Sequence, residues 1–372
     1  MESLTCKNCR RRTYVAPGKQ QNRCHGCQKA LSVGSINGMA FFRTTKQWTV
    51  EIEKKKSEAK LLYQSLGKKF SNSNNQHRQI GSPSPSIITP EPLPRGKRAF
   101  LCGVTYKKQK FELKGTAHDV KNMRDLLVEQ FSFRKESILI LAEDESFMPP
   151  TRKNIEDAFQ WLMRGIQSGD SLVFYFSGHG LRQRDHHGDE IDGFDETICP
   201  VDFQTNGMIL DNYINQTIVR PLIPDVTLHA IVDSCHSGTV LDLPHVYNIN
   251  TGKWDDNRPP SGAFKGTSRG RAICFSACED YQLAADTSVF SPEKEMTGAM
   301  TCTFIRAIKS AVANGQKLTY HGILDSMHKT LKQAHKSGCL RAGIHRVFHR
   351  KILQDPLLPS SEEFSIITEF KL

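Results

Sequence analysis

The chain has 372 residues, of which 38% are hydrophobic, and it carries a formal net charge of +11 and 11 cysteines. That length calls for one large α/β unit with a smaller one beside it, and it excludes a single small domain. An odd number of cysteines, with no apolar leader among the first residues, argues against a disulfide framework and for reduced thiols, metal ligands or a nucleophile.

The charge is unevenly spread. Residues 1–97 hold 18 Lys or Arg against 5 Asp or Glu, which leaves 32 against 34 for the rest. The basic excess belongs to the N-terminal quarter, as a solvated linker or as a surface for nucleic acid, acidic proteins or membrane. No run approaches the roughly 18 apolar residues of a membrane span, so a cytoplasmic or nuclear location is expected.

In chain order, the first element is a Cys6-x-x-Cys9 pair followed by Cys24-x-x-Cys27, with 14 residues between the pairs. This spacing suits tetrahedral zinc held by four thiolates. So few apolar residues surround it that metal binding must supply the folding free energy, and residues 1–35 read as a zinc finger. Residues 36–95 read as a linker, basic at first and then rich in Pro and Ser. Within it, Leu61, Leu62, Leu66 and Phe70 could line a short amphipathic helix or a plain connector. From 71 to 95, Ser-Pro-Ser-Pro at 82–85 and prolines at 90, 92 and 94 predict extended, exposed backbone open to proteolysis.

Residues 96–372 alternate short apolar runs with helical patterns. Runs at 99–104, 137–141, 172–176, 228–232 and 272–276 predict buried strands of a mainly parallel sheet. Helical spacing at 119–131, 152–166, 301–312 and 322–332 predicts the covering helices, giving a helix-sheet-helix α/β sandwich without internal repeats.

Two of these strands end in chemistry-bearing motifs, Ser177-Gly178-His179-Gly180 and Asp233-Ser234-Cys235-His236-Ser237-Gly238. In open parallel sheets ligands bind at the carboxyl edge, so a His and a Cys delivered there from two strands could meet. Either residue alone is more often structural, as a loop histidine or a buried thiol. Together they fit thiolate attack on a peptide carbonyl, with His179 moving the protons and Cys235 as nucleophile. The backbone N–H groups of Gly180 and Cys235 are the candidate oxyanion donors.

These motifs, 56 residues apart from His179 to Cys235, resemble those of the metacaspases, caspase relatives of plants, fungi and protists. Blocks at 113–119, 192–196, 200–202, 238–244, 265–267 and 297–301 extend the likeness over residues 96–372. The true caspase signature, Gln-Ala before the Cys, is absent. The resemblance implies a caspase-like fold, and the expected domain is a monomeric cysteine endopeptidase cleaving protein substrates after Arg or Lys. Its primary pocket would match Asp119, Ser177 and Asp233, with Thr116 where the family usually has Cys. A buried cation needs carboxylates, which Asp119 and Asp233 supply.

The resemblance further implies activating calcium at Asp195, Asp211, Asn212 and Asp242, with Asn212 replacing an acid and weakening the site. Without calcium the acidic stretch 185–196 is simply a solvated loop. The finger, through Cys-x-x-Cys-Arg, Tyr14, Pro17 and Gly18, is similar to the lesion-simulating-disease type of plant type I metacaspases, although Gln20, Gln21, Asn22 and Arg23 depart from it. The family pattern then makes 1–95 a protein-binding prodomain of a zymogen linked to programmed cell death. Self-cleavage candidates are Arg95, Lys97 and Arg98 at the linker junction, and Lys253, Arg258, Lys265 and Arg269 further on. Two rival readings are an inactive adaptor acting through its finger and a nucleic-acid binder using the basic N-terminus, for which one finger with few aromatics is thin support.

Overall fold

The computed structural model describes residues 96–185, 188, 190, 191, 193–235, 237–259, 261–276, 297–336 and 356–372. It also describes the backbone of five short strand segments elsewhere in the chain. The chain divides into two compact units, Met1–Ile88 and Thr89–Leu372. In the first, β1 (Glu2–Thr5) pairs antiparallel with β2 (Arg12–Val15), and β3 (Asn22–Arg23) with β4 (Ala30–Leu31). The four finger cysteines lie outside the described residues.

The second unit is built on an eight-stranded sheet. Five strands, β5 (Lys97–Gly103), β6 (Ile138–Ala142), β7 (Ser171–Ser177), β11 (Thr227–Asp233) and β14 (Arg271–Ser276), run parallel in the order β14-β11-β7-β5-β6. These are the five strands the apolar runs predict. Beyond β14 the sheet continues antiparallel through β17 (Leu358–Ser360), β12 (His245–Asn248) and β13 (Lys253–Asp256), which have no such runs. A smaller antiparallel sheet, β8 (Gly180–Arg184), β9 (Phe194–Ile198) and β10 (Ile209–Leu210), stands apart from it, and β15 (Asp286–Thr287) pairs antiparallel with β16 (Thr297–Gly298).

Strand alternation sorts each run onto two faces. Phe100, Phe174, Phe176 and Val232 join one core, with Ile155, Phe159 and Leu162 of helix α2 (Arg152–Met163). Leu101, Val173, Tyr175 and Ile231 join the other, with Met123 and Leu127 of α1 (Thr116–Phe131) and Phe304 and Ile308 of α5 (Ala299–Ala313). Both faces are covered, which is why the strands read as continuous apolar runs. Helix α2 is capped by the Thr151 hydroxyl, which accepts from Asn154 N–H, and it stops short of its predicted end because Arg164 is extended and Gly165 has φ of +59°. Two short helices, α3 (Phe203–Asn206) and α4 (Asp211–Ile214), precede β11, and α6 (Tyr320–Lys336) follows α5. No helix among the described residues is long and apolar enough to cross a membrane.

Candidate active site

Neighbouring strands β7 and β11 pair in a register that sets Ser177 opposite Asp233. Both strands end at that pair, and His179 and Cys235 each stand two residues further on. The equal step brings them out at the same carboxyl edge. Beyond it the two backbones are pressed together. A Cβ on Gly180 would lie 2.0 Å from Cys235 O and 3.2 Å from Ser234 Oγ, so only glycine admits this approach.

His179 is held from several sides. Its main-chain N–H donates to the Tyr106 hydroxyl at 2.9 Å, and that hydroxyl donates to Cys199 O at 2.6 Å. Its carbonyl accepts from Cys199 N–H at 3.0 Å, and its ring packs on Tyr106 with centroids 4.7 Å apart. Ring atom Nε2 lies 2.7 Å from Phe111 O. A carbonyl oxygen can only accept, so Nε2 carries the hydrogen and Nδ1 is left as the basic nitrogen. Burial lowers the His179 pKa below its ordinary value, with the Phe111 carbonyl opposing that shift.

The loop that supplies Tyr106 and Phe111 is itself fixed. Tyr106 and Lys108 adopt φ of +55° and +64°, and the Glu143 carboxylate accepts the N–H groups of Tyr106 and Lys107. These left-handed conformations are unfavourable for residues with a Cβ and persist where surrounding bonds enforce them.

Among the described cysteines, Cys102, Cys199 and Cys274 are buried, and only Cys235 and Cys302 are partly exposed. Burial pushes the Cys199 thiol up to about 12 and the Cys302 thiol up to about 11, which disfavours the thiolate in both. Cys235 is the partly exposed thiol whose backbone abuts the residue after His179.

Next to this pair lie two buried carboxylates, Asp119 at 0% and Asp233 at 4% exposure. Asp119 accepts from Ser177 Oγ at 3.2 Å, from Gly298 N–H at 2.9 Å and from the Thr297 hydroxyl. Asp233 accepts from both the N–H and the hydroxyl of Thr301 at 2.7 Å, and Thr301 Oγ1 is 2.8 Å from the Tyr175 hydroxyl. A Cβ on Gly298 would meet Asp233 Oδ2 at 2.1 Å and Asp119 Oδ2 at 3.1 Å, so both carboxylates face one spot. Burial, and then the charges of Asp119 and Asp233, hold the Tyr175 phenol well above its ordinary pKa. The structure thus brings Asp119, Ser177 and Asp233 together. Thr116, on the first turn of α1, instead bonds Thr105 Oγ1 at 2.9 Å. Thr297, Gly298 and Thr301 were legible only as a block, without a role.

A third cluster is acidic. Ligand oxygens of Glu190, Asp195 and Asp211 all lie within 4.8 Å of one another. Burial, then Asp242, Glu190 and Glu196, push the Asp211 carboxyl up to about 10. Asp195 and Asn212 are joined at 3.5 Å, and Asn212 Oδ1 and the Asp242 carboxylate both accept from Lys265 Nζ. Glu190 and Lys265 are members that sequence reasoning did not assign to this cluster. The donors are all oxygen and a side-chain cation already stands among them, so the residues fit a hard cation such as calcium.

The basic residues singled out for self-cleavage differ in access. Arg95 lies outside the described residues. Lys97 and Arg98 fall inside β5, and the Arg98 guanidinium is buried against Trp161 O and Arg164 O. Lys253, Arg258 and Arg269 are exposed, whereas Lys265 is buried.

Residues 97–244 match the family described as "Metacaspase, peptidase C14 domain". Metacaspase-1 of Arabidopsis thaliana is 50% identical over 253 residues, covering 66% of this chain and 68% of that protein. Metacaspase-3 of Arabidopsis thaliana is 45% identical over 293 residues, covering 77% and 78%. A solved structure from Geobacter sulfurreducens aligns over 74% of this chain and 97% of its own at 18% identity, with a TM-score of 0.47.

Proposed function

Because this chain belongs to the metacaspase family of C14 cysteine peptidases, we propose that its protein substrates are cut after Arg or Lys by His179 and Cys235. The observation that carries the specificity is the pair of buried carboxylates, Asp119 and Asp233, facing one spot beside that dyad. A guanidinium presents five donors in a fixed fork and an ammonium a point charge, and either one needs such carboxylates once out of water.

In the reaction, His179 Nδ1 takes the Cys235 proton and the thiolate attacks the peptide carbonyl, forming a C–S bond. The charge moves to the carbonyl oxygen, which the Gly180 and Cys235 N–H groups stabilise. His179 returns the proton to the leaving amine as the C–N bond breaks. Water then attacks the thioester, giving its proton to His179, and the thiol and a carboxylic acid are released. A peptide ending in Arg with a fluorogenic leaving group is hydrolysed at least roughly 100-fold faster than its Asp counterpart. Equal rates would overturn the specificity, and hydrolysis of neither would favour an adaptor.

The basic form of His179 must be present, so the acid limb of kcat/KM reports its protonation in the free enzyme. Burial disfavours the imidazolium and shifts that limb below the ordinary value of about 6.5. A pH profile on the Arg peptide with its acid midpoint above that value would contradict this.

Calcium would be held by Glu190, Asp195, Asp211 and Asp242 with Asn212, and when bound it supplies the positive charge these acids lack. Zinc on Cys6, Cys9, Cys24 and Cys27 would fold the finger as a protein-docking prodomain of a zymogen, in a programmed-cell-death setting. Self-cleavage at the exposed Lys253, Arg258 or Arg269 is favoured over cleavage inside β5, and Arg95 stays a candidate by its place in the sequence.

A further inference from the structure

Lys265 is unusual for a lysine because its side chain is 5% exposed, whereas such ammonium groups normally stay in water. Its Nζ lies 2.8 Å from Asn212 Oδ1 and 3.2 Å from Glu190 Oε1, and it also donates to the Asp242 carboxylate. An ammonium has three donors, and these three oxygens all lie within its reach. The two partners that are acids belong, with Asp195 and Asp211, to the acidic cluster.

The backbone at this point is anchored too. The Asn215 side-chain amide donates to Leu241 O at 3.0 Å, and to Asp242 O and Lys265 O at 3.1 Å each. Asn215 opens the π-helical turn Asn215–Val219 that continues α4. One buried amide therefore ties the segment bearing the lysine to the segment bearing its acidic partner. The lysine is built into the cluster rather than resting on its surface.

We propose that Lys265 is the resident cation of this cluster, and that a divalent cation enters by displacing its ammonium and freeing the chain around it. The inference rests on reading the acidic cluster as the calcium site. Among the described residues this ammonium faces the carboxyl groups of Glu190, Asp195, Asp211 and Asp242, and a divalent ion answers that acid set better than an ammonium does. The tethered ammonium is always at hand, so the apparent affinity for calcium falls by the fraction of time the cage is empty. Removing the ammonium therefore strengthens calcium binding, the reverse of what loss of a supporting residue would do.

The test uses the full chain carrying Cys235→Ala, to prevent self-cleavage, with and without Lys265→Met. Calcium titrated calorimetrically binds the Lys265→Met chain at least about tenfold more tightly, as expected if the ammonium is seated about nine-tenths of the time. In a second arm, trypsin cuts the Cys235→Ala chain after Lys265 faster with calcium than without, read by fragment mass. This arm needs no substitution at 265 and decides the matter if the Met variant does not fold. Calcium binding of equal or lower strength in the Met variant, or unchanged trypsin cleavage in the presence of bound calcium, would overturn the exchange alone. Absence of calcium binding in both chains would overturn the calcium reading and the exchange with it.

Discussion

Replacing Cys235 by Ala is expected to lower kcat on an Arg peptide by about 10⁴-fold or more, with KM little changed. Alanine removes the sulfur that forms the covalent intermediate and leaves the pocket carboxylates in place, so substrate still binds. His179→Ala should cost a similar amount, since the thiol then lacks its base and the leaving amine its acid. The two losses should not add, because the residues act in one step and the second deletion removes a function already gone. Steady-state kinetics on both single variants and the double variant, with folding checked by circular dichroism, reads this directly. A Cys235→Ala chain retaining a tenth of the activity would place the nucleophile elsewhere.

Asp233→Asn is expected to lower kcat/KM on the same peptide by roughly 10²- to 10⁴-fold, since a buried cation left facing a neutral amide loses about 3–5 kcal/mol. The change is nearly isosteric, and the amide oxygen can still accept from the Thr301 N–H and hydroxyl that hold Asp233 now. The effect should therefore fall on substrate recognition rather than folding. Asp119→Asn should lower recognition too, with its amide oxygen accepting from Ser177 and Gly298 as Oδ2 does now and the Thr297 hydroxyl, now a donor to Oδ1, turned to accept from the new NH2. Both variants should still react with a small alkylating agent at Cys235, which separates pocket damage from loss of the nucleophile. Unchanged cleavage of the Arg peptide by both variants would remove these carboxylates from the specificity pocket.

The parallel strands and their helices were readable because each strand is covered on both faces, so its whole length is apolar, as in Leu172 to Phe176. The antiparallel strands were not, for they are short and mixed in polarity: Lys253–Asp256 carries three charged residues in four and lies at the sheet edge. The dyad was legible because strand ends carry their motifs to a predictable edge. The pocket was only half legible. Asp119 and Asp233 stand out by type, but nothing in the spacing says that Thr297, Gly298 and Thr301 come back across 178, 179 and 68 residues of chain to hold them. Thr116 turned its hydroxyl to Thr105, a local choice that sequence does not record. The burial of Lys265 was not legible, because it depends on Glu190, Asn212 and Asp242, brought from three other parts of the chain.

The central sheet interleaves early and late parts of the chain. β14 and β17 lie between β11 on one side and β12 on the other. A nick anywhere between β13 and β14 would yield two polypeptides, with the later one threaded through the earlier by main-chain bonds along both flanks. Severing the chain there would leave the two pieces joined through the ladder bonds of β14 to β11 and of β17 to β12.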